Sequence, residues 1–324
     1  MKTIVAIAMG GYSSEFQISL NSGNVVYKHI DLEKYTPYRV HILKEEWLAF
    51  DDENHSYVIN KNDFSFIKQG KTIRFDVVFN IIHGTPGEDG KLQAYLELLN
   101  IPQTACDFYS AALTFNKRDT ISVLKPYGIK TATNVFINKG DTVNVNQIIS
   151  KVGLPCFVKA NKAGSSFGIS KVYNAEEFPK ALDVAFKEDD EVLVESFLDG
   201  TEVSVGVITY NTTITALPIT EIVSENDFFD YEAKYNGQSQ EITPARISDA
   251  QRDEVQQIAI KIYKTLKLKG LTRAEFIFHN NEPHFLEVNT CPGLSEASII
   301  PQQAAEAGIS LKDLFSNVIA AAMH

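Results

Sequence analysis

The sequence predicts an α/β chain of three units: an N-terminal parallel sheet covered by helices, followed by two smaller α+β units. Three observations carry this. The chain has 324 residues, more than a single hydrophobic core of about 250–300 residues usually organises. Up to residue 105, strand-like and helix-like runs alternate, which is the pattern of a parallel sheet with helices on both faces. Beyond residue 154 come a small mixed α/β unit and then two hairpins, Glu202–Tyr210 with Thr213–Thr220 and one over 272–289. The expected units are 1–105, 106–195 and 196–324.

The first strand is TIVAIAM (3–9), ended by Gly10-Gly11, with Ser13-Ser14-Glu15 opening a helix and a serine as its N-cap. Further strands are expected at Tyr38–Leu43 and Phe75–Ile82, the latter running into HGTPGEDG (83–90) and a helix over Lys91–Leu99. Residues 117–150 read as helical and then mixed. Strands follow at Leu154–Ala160, Ile169–Tyr173 and Glu191–Phe197, with a helix over 175–187. Glu202–Tyr210 and Thr213–Thr220 read as a hairpin, and 224–245 as a long polar, aromatic-rich loop of the kind that is usually functional. A helix over 249–267, a hairpin over 272–289 and a terminal helix complete the chain.

Composition narrows the function. Apolar residues make up 44% and charged residues 22%, as in an ordinary globular protein. The net charge of −11 disfavours a nucleic-acid partner, which calls for a basic face. Cys106, Cys156 and Cys291 form no CxxC pair, so reduced thiols in a reducing compartment are expected. The apolar run after Lys2 is short, ends in Gly10-Gly11 and shows no cleavage pattern, so it reads as a strand rather than a signal peptide. No stretch approaches the roughly 20 apolar residues of a membrane span. A cytoplasmic protein is the expectation.

The chemistry concentrates in the hairpin RAEFIF (273–278), HNNEP (279–283), HFLEVN (284–289). With the turn centred on Asn281, Glu275 faces Glu287, and Arg273 and Asn289 join them on one side, because residues two apart share a face. Opposed like charges destabilise a bare sheet. Two carboxylates and an amide oxygen are hard donors that suit Mg²⁺, and Arg273 on the same face suits a phosphate or oxyanion. A solvated charged strand face is the plain alternative. KANKAGSSFG (159–168) can turn backbone N–H groups toward an anion and lie over it as a flap, with Lys117 and Lys159 as counter-charges; an ordinary hairpin tip is the alternative. It is not a Walker loop, since a strand follows it. GGYSSE (10–15) lacks a dinucleotide fingerprint and carries Glu15 where a phosphate would sit, so Glu15 suits an ammonium group, or simply the helix dipole. His83 ends a parallel strand, where open α/β sheets place ligands, or else is a turn histidine.

Taken together, GGYSSEFQISLNSG (10–23), HGTPGEDGKLQ (83–93), NKRDT (116–120), FVKANKAGSSFGISKV (157–172), VLVESFLDGTEVSV (192–205), YEAKY (231–235) and FLEVNTCPGLSEASIIP (285–301) resemble the D-alanine–D-alanine ligase family of ATP-grasp enzymes. The resemblance runs through nearly the whole chain, in the family's order. It implies the ATP-grasp fold, ATP with two Mg²⁺ or Mn²⁺ ions, two D-alanine molecules as substrates, and a homodimer without nucleic-acid or membrane partners. Lys117, Lys159 and the Gly164–Gly168 loop with Ser166 would hold phosphates; Glu195, Phe197 and Leu198 would line the adenine pocket, and Glu202 would bind ribose. Glu275, Glu287 and Asn289 would bind the metals. Glu15, with Ser165 and Tyr235, would fix the first ammonium, and His83 would line the substrate site. Lys234 would reach the transferring phosphate, Ser298 and Ile299 the second carboxylate, and Arg273 with Gly293 the oxyanion.

Three residues depart from the family pattern: Glu275 where aspartate is common, Ser196 where a lysine is often found, and Cys291 in place of a small polar residue. The last predicts a thiol open to alkylation beside the reacting atoms. Rival readings are a ligase taking D-lactate or D-serine second, a nucleotide-binding sensor without turnover, and a nicotinamide oxidoreductase. Tyr235 in YEAKY argues for D-alanine, the full set of charges against a sensor, and the incomplete glycine fingerprint against the oxidoreductase.

Overall fold

A computed structural model describes residues 2–164, 167–224 and 239–324. The first sheet starts with Thr3–Gly10 (β1), helix Phe16–His29 (α1) and Tyr35–Ile42 (β2). Trp47–Phe50 (β3) and Ser56–Val58 (β4) extend it, Ser65–Lys68 (β5) and Lys71–Arg74 (β6) form a separate hairpin, and Val77–Asn80 (β7) returns beside β1. The order is β4-β3-β2-β1-β7. Only its centre is parallel, β1 with β2 and β7; β3 and β4 pair antiparallel. The parallel sheet expected from the sequence is present at this centre, and its antiparallel edge is added because the link between β2 and β3 is far too short for a crossover helix.

Alternation along β1 decides what each face buries. Val5, Ile7 and Met9 pack with Val77 and Phe79 against α1 and the end of the chain, while Ala6 and Ala8 face Phe64, Phe66 and Leu92. Gly10 and Gly11 turn the chain with φ of +97° and +96°, values open to glycine. The N-cap of α1 is Glu15, not a serine; Ser13 instead accepts from the Glu15 N–H (3.3 Å) and donates to the His83 carbonyl (2.8 Å). Buried Ser19 accepts from the Gly10 N–H (2.9 Å) and donates to the Ile81 carbonyl (2.7 Å). The motif serines thus tie α1 to the ends of β1 and β7.

Lys91–Leu98 (α2), Phe108–Phe115 (α3) and Lys117–Leu124 (α4) follow, α3 and α4 capped by Asp107 and Asn116. Ala111 and Leu124 bury with the core of the third sheet rather than that of the middle one. The middle unit holds Asn134–Asn138 (β8), Val145–Val152 (α5), Cys156–Ala160 (β9), Ile169–Val172 (β10), Phe178–Ala185 (α6) and Glu191–Ser196 (β11). Its antiparallel sheet has the order β10-β9-β11-β8 over a core of Val158, Phe178 and Val194.

The third unit holds Gly200–Tyr210 (β12), Thr213–Ala216 (β13), Thr220–Ser224 (β14), Ser239–Ile242 (β15), Asp249–Thr265 (α7), Leu271–His279 (β16), Glu282–Asn289 (β17), Ile299–Glu306 (α8) and Leu311–Ala322 (α9). The order is β15-β14-β12-β16-β17, with β13 also on β12. The expected strand over 213–220 is two strands, broken at Pro218, which has no N–H to give. The expected loop over 224–245 contains β15; its residues 225–238 lie outside the described residues. The terminal helix is two, split at Gly308 (φ +73°) and restarted by the Ser310 cap. Phe315 of α9 packs edge-on against Phe79 of the first sheet at 5.6 Å, joining the first and third units.

Ser19→Ala leaves a buried N–H and a buried carbonyl without their partner. The expected loss is roughly 2–3 kcal/mol in urea unfolding; a loss below about 0.5 kcal/mol would show that the serine bonds do not hold this joint.

Candidate active site

The hairpin β16–β17 turns at Asn280 and Asn281, both left-handed (φ 52° and 63°), as a two-residue turn requires. A regular hairpin on that turn would set Glu275 opposite Leu286. A bulge between Glu275 and Phe276 adds one residue on β17, and Glu275 instead faces Glu287, with Arg273 facing Asn289. Leu286 and Glu287 both line the cavity as a result. The expected register holds, though through a bulge and not through a turn centred on Asn281. Ala274, Phe276, Phe278, Phe285 and Val288 point the other way into the core, which anchors the register.

The charged face of the third sheet, the edge of the middle sheet and the loops ending β1 and β7 enclose a cavity of about 480 Å³. Glu15, His83, Lys117, Lys159, Gly164, Glu195, Leu198 and Glu202 line it. So do Arg273, Glu275, Glu287, Asn289, Gly293, Ser298 and Ile299. Residues far apart in the chain thus meet in one place. Phe197 is not on the wall; its ring lies beside Phe157, which is, and under Lys171. Ser165, Ser166, Lys234 and Tyr235 lie outside the described residues.

Acids and bases are interleaved across this space. Lys159 bonds Glu195 at 2.7 Å, Lys117 reaches Glu287 at 3.2 Å and the Ala163 carbonyl at 2.7 Å, and Arg273 holds one oxygen of Glu275 at 2.6 Å. Burial alone would lower the Lys159 ammonium, but Glu195, with Glu287 and Glu202 beyond it, lifts it above its ordinary value. Among the described residues, the second oxygen of Glu275 and the Asn289 amide nitrogen are buried without a hydrogen-bond partner. Such atoms are costly unless something binds them. Burial lowers the His83 imidazole below its usual range, against the pull of Glu15 and a bond with the Cys291 backbone. The neutral ring leaves Nε2 without a partner among the described residues.

Two glycine turns and the flap interlock around Glu15. A Cβ on Gly84 would lie 2.8 Å from Ser13, and one on Gly164 would lie 2.8 Å from the Glu15 carboxylate. The middle unit therefore touches the first one at Glu15. Sequence reasoning missed Glu88, which also lines the cavity and accepts from the Gly84 N–H at 2.7 Å. Burial, then Glu15, push its carboxyl up to about 8. Its signal was present in HGTPGEDG, where a carboxylate stands within a turn already read as a ligand site.

These three sheets around one charged cavity are an ATP-grasp architecture, shared with solved structures. The D-alanyl-alanine synthetase A from Vibrio cholerae has 26% identity and a TM-score of 0.88, over 99% of this chain and 98% of that one. The VanG D-Ala:D-Ser ligase from Enterococcus faecalis has 30% identity and a TM-score of 0.87, over 99% of each. The family model for the D-ala D-ala ligase N-terminus matches residues 4–106, and that for the D-ala D-ala ligase C-terminus matches 123–320. A D-alanine--D-alanine ligase of Christiangramia forsetii is 65% identical over 324 residues, 100% of this chain and 99% of the relative. One of Flavobacterium johnsoniae is 62% identical over 97% of this chain and 98% of its own. The chain belongs to the D-alanine–D-alanine ligase family.

The alkylation-sensitive thiol expected at residue 291 is corrected by burial. Cys291 is 3% exposed, its Sγ faces the Asn80 carbonyl at 3.5 Å, and burial raises the thiol well above its ordinary value. Cys106 and Cys156 are buried too, at about 12 and about 11. A buried thiol without its thiolate is inert. Iodoacetamide at pH 8 is expected to leave all three cysteines of the native protein unmodified by mass spectrometry and to label them in denaturant; labelling of Cys291 in the native protein would contradict this.

Proposed function

We propose that this cavity joins two D-alanine molecules into D-alanyl-D-alanine with ATP, releasing ADP and phosphate, as a step in making peptidoglycan precursors in the cytoplasm. The observation that carries the reading is the convergence of Glu15, Lys117, Lys159, Arg273 and the opposed Glu275–Glu287 pair on one cavity. Family membership and the 65% identical relative support it. A B. anthracis D-alanine–D-alanine ligase solved in complex with ATP, 26% identical with a TM-score of 0.80, supports the nucleotide.

A carboxylate is a poor acyl donor, so the first D-alanine attacks the terminal phosphorus of ATP and ADP leaves. The amine of the second then attacks the acyl carbon, and phosphate leaves. Glu15, at the N-cap of α1, holds the first ammonium, and Ser165 and Tyr235 belong to that network in this reading. Lys117 and Lys159 bind phosphate oxygens under the flap that carries Gly164 and Ser166, and Lys234 meets the transferring group. Glu195, Leu198 and, behind Phe157, Phe197 shape the adenine pocket, with Glu202 on the ribose. Arg273 and the Gly293 N–H face the oxyanion, and Ser298 and Ile299, at the start of α8, hold the second carboxylate. His83, neutral by burial, lines the first subsite.

The unpartnered oxygen of Glu275, with Glu287 opposite and Asn289 beside it, fits two Mg²⁺ or Mn²⁺ ions. Turned over, the Asn289 amide offers its oxygen. Such ions supply charge neutralisation on the phosphates. Closure of the flap against Glu15 keeps water from the acyl phosphate. Assembly as a homodimer belongs to the same reading; Leu98, Phe108 and Tyr109 on α2 and α3 are exposed apolar side chains that a second copy would cover. Among the described residues, no helix is long and apolar enough to cross a membrane.

Phosphate release from Mg-ATP, with product mass, tests the reading. D-Alanine alone is expected to give the dipeptide and L-alanine nothing, and Arg273→Ala is expected to lower kcat roughly 10²–10³-fold. A mixed product preferred with D-serine or D-lactate would move the second substrate, and ATP binding without release would leave only a nucleotide sensor.

A further inference from the structure

The far end of the catalytic hairpin carries a second set of donors. His279 and His284 lie on the face that Ile277 shows to the cavity, His284 being the strand partner of Ile277. Their ring centroids are 5.6 Å apart, with the planes at 78°. Nδ1 of His279 is 2.9 Å from the Asp199 carbonyl, and Nδ1 of His284 is 3.0 Å from the Glu282 carbonyl. A carbonyl oxygen only accepts, so each Nδ1 donates, and the lone pair of each neutral ring is on Nε2. This is the tautomer that metal-bound histidines hold by the same kind of backbone bond.

The spacing fits one ion. Two imidazoles on a tetrahedral Zn²⁺, at Zn–N distances of about 2.0–2.1 Å, have centroids about 5.3 Å apart. Glu282 is the strand partner of His279, and its carboxylate pairs with Lys130 at 2.5 Å, both side chains more than half exposed. An exposed pair of this kind is held weakly, so Glu282 is free to exchange Lys130 for an ion. Among the described residues no cluster of three such donors is preformed, so the two imidazoles are the anchor, and Glu282 or water completes the shell.

We propose that His279 and His284 form a binding site for a borderline divalent ion of the Zn²⁺ class, separate from the acidic site of the same hairpin. Ligand chemistry sorts the two: imidazole takes Zn²⁺-class ions, while carboxylate and amide oxygens take Mg²⁺. The site also sits on both connections of the middle unit. His279 holds Asp199, just after β11, and Glu282 holds Lys130, just before β8. An ion there draws the hairpin tip together where the middle unit joins the third.

The test is a Zn²⁺ titration of the full chain against a chromophoric chelator, in excess Mg²⁺ so that the acidic site is not what is read. One ion per chain is expected, with a Kd on the order of 10 µM, weakened about tenfold or more by His279→Gln and by His284→Gln. Melting temperatures in EDTA, expected to match the unmodified protein, separate lost binding from a lost fold. In the unmodified protein Zn²⁺ is expected to shift the Cε1–H proton signals of the two histidines, out of 7 in the chain. Binding no tighter than about 1 mM, binding that both variants retain, or no shifted histidine signal each overturns the proposal.

Discussion

Two carboxylates face each other across one strand pair, and the rest of the molecule is arranged around that conflict. Opposed like charges destabilise a sheet, and Glu275 and Glu287 are each partly compensated by a cation, Arg273 on one and Lys117 on the other. The compensation is incomplete, because one oxygen of Glu275 stays buried without a partner among the described residues. What keeps the pair in place is the opposite face of the same strands. Ala274, Phe276, Phe278, Phe285 and Val288 are buried in the core under α7, and a slip of one residue would turn that whole set toward the cavity. Burial of the apolar face thus holds the charged face in a geometry it would not choose alone.

The loops around the pair follow the same logic. Three glycines allow a close approach where a side chain would intervene: Gly84 to the Ser13 side chain, Gly87 to the Ile82 carbonyl and Gly164 to the Glu15 carboxylate. Ser13 and Ser19 then fix the spacing through bonds to the ends of β7 and its loop. Acids crowd together as a result. Glu88 has its carboxyl raised to about 8, first by burial and then by the nearness of Glu15, so at neutral pH it stands largely protonated.

Much of this was legible in the sequence, and the reasons differ by region. Strand–helix alternation gave the first sheet because buried parallel strands leave unbroken apolar runs such as TIVAIAM. Its antiparallel edge, β3 and β4, was not legible, since these are short strands with few residues to show a period. The Glu275–Glu287 pairing was expected from a turn centred on Asn281, whereas the turn is Asn280-Asn281 and the bulge that restores the pairing leaves no mark in spacing alone. Strand β15 was hidden in a polar stretch whose pairing with β14 is a tertiary choice. The packing of α3 and α4 beneath the third sheet was likewise invisible, because chain order does not say which core a helix joins. Glu88 stood in a turn already read as a ligand site, but the perturbation that singles it out comes from burial and Glu15, which its neighbours in sequence do not show.

In this reading the Glu275–Glu287 pair is a cation site and not a solvated strand face. Its most direct measurement is the melting temperature with ATP, with Mg²⁺ added or chelated, for the unmodified protein and for Glu275→Gln. Binding to the folded state alone stabilises by about 2.7 kcal/mol at a hundredfold excess over Kd. A Mg²⁺-dependent rise of several degrees is expected in the unmodified protein, and its loss in Glu275→Gln. An equal rise in both would place the ion elsewhere and contradict the account.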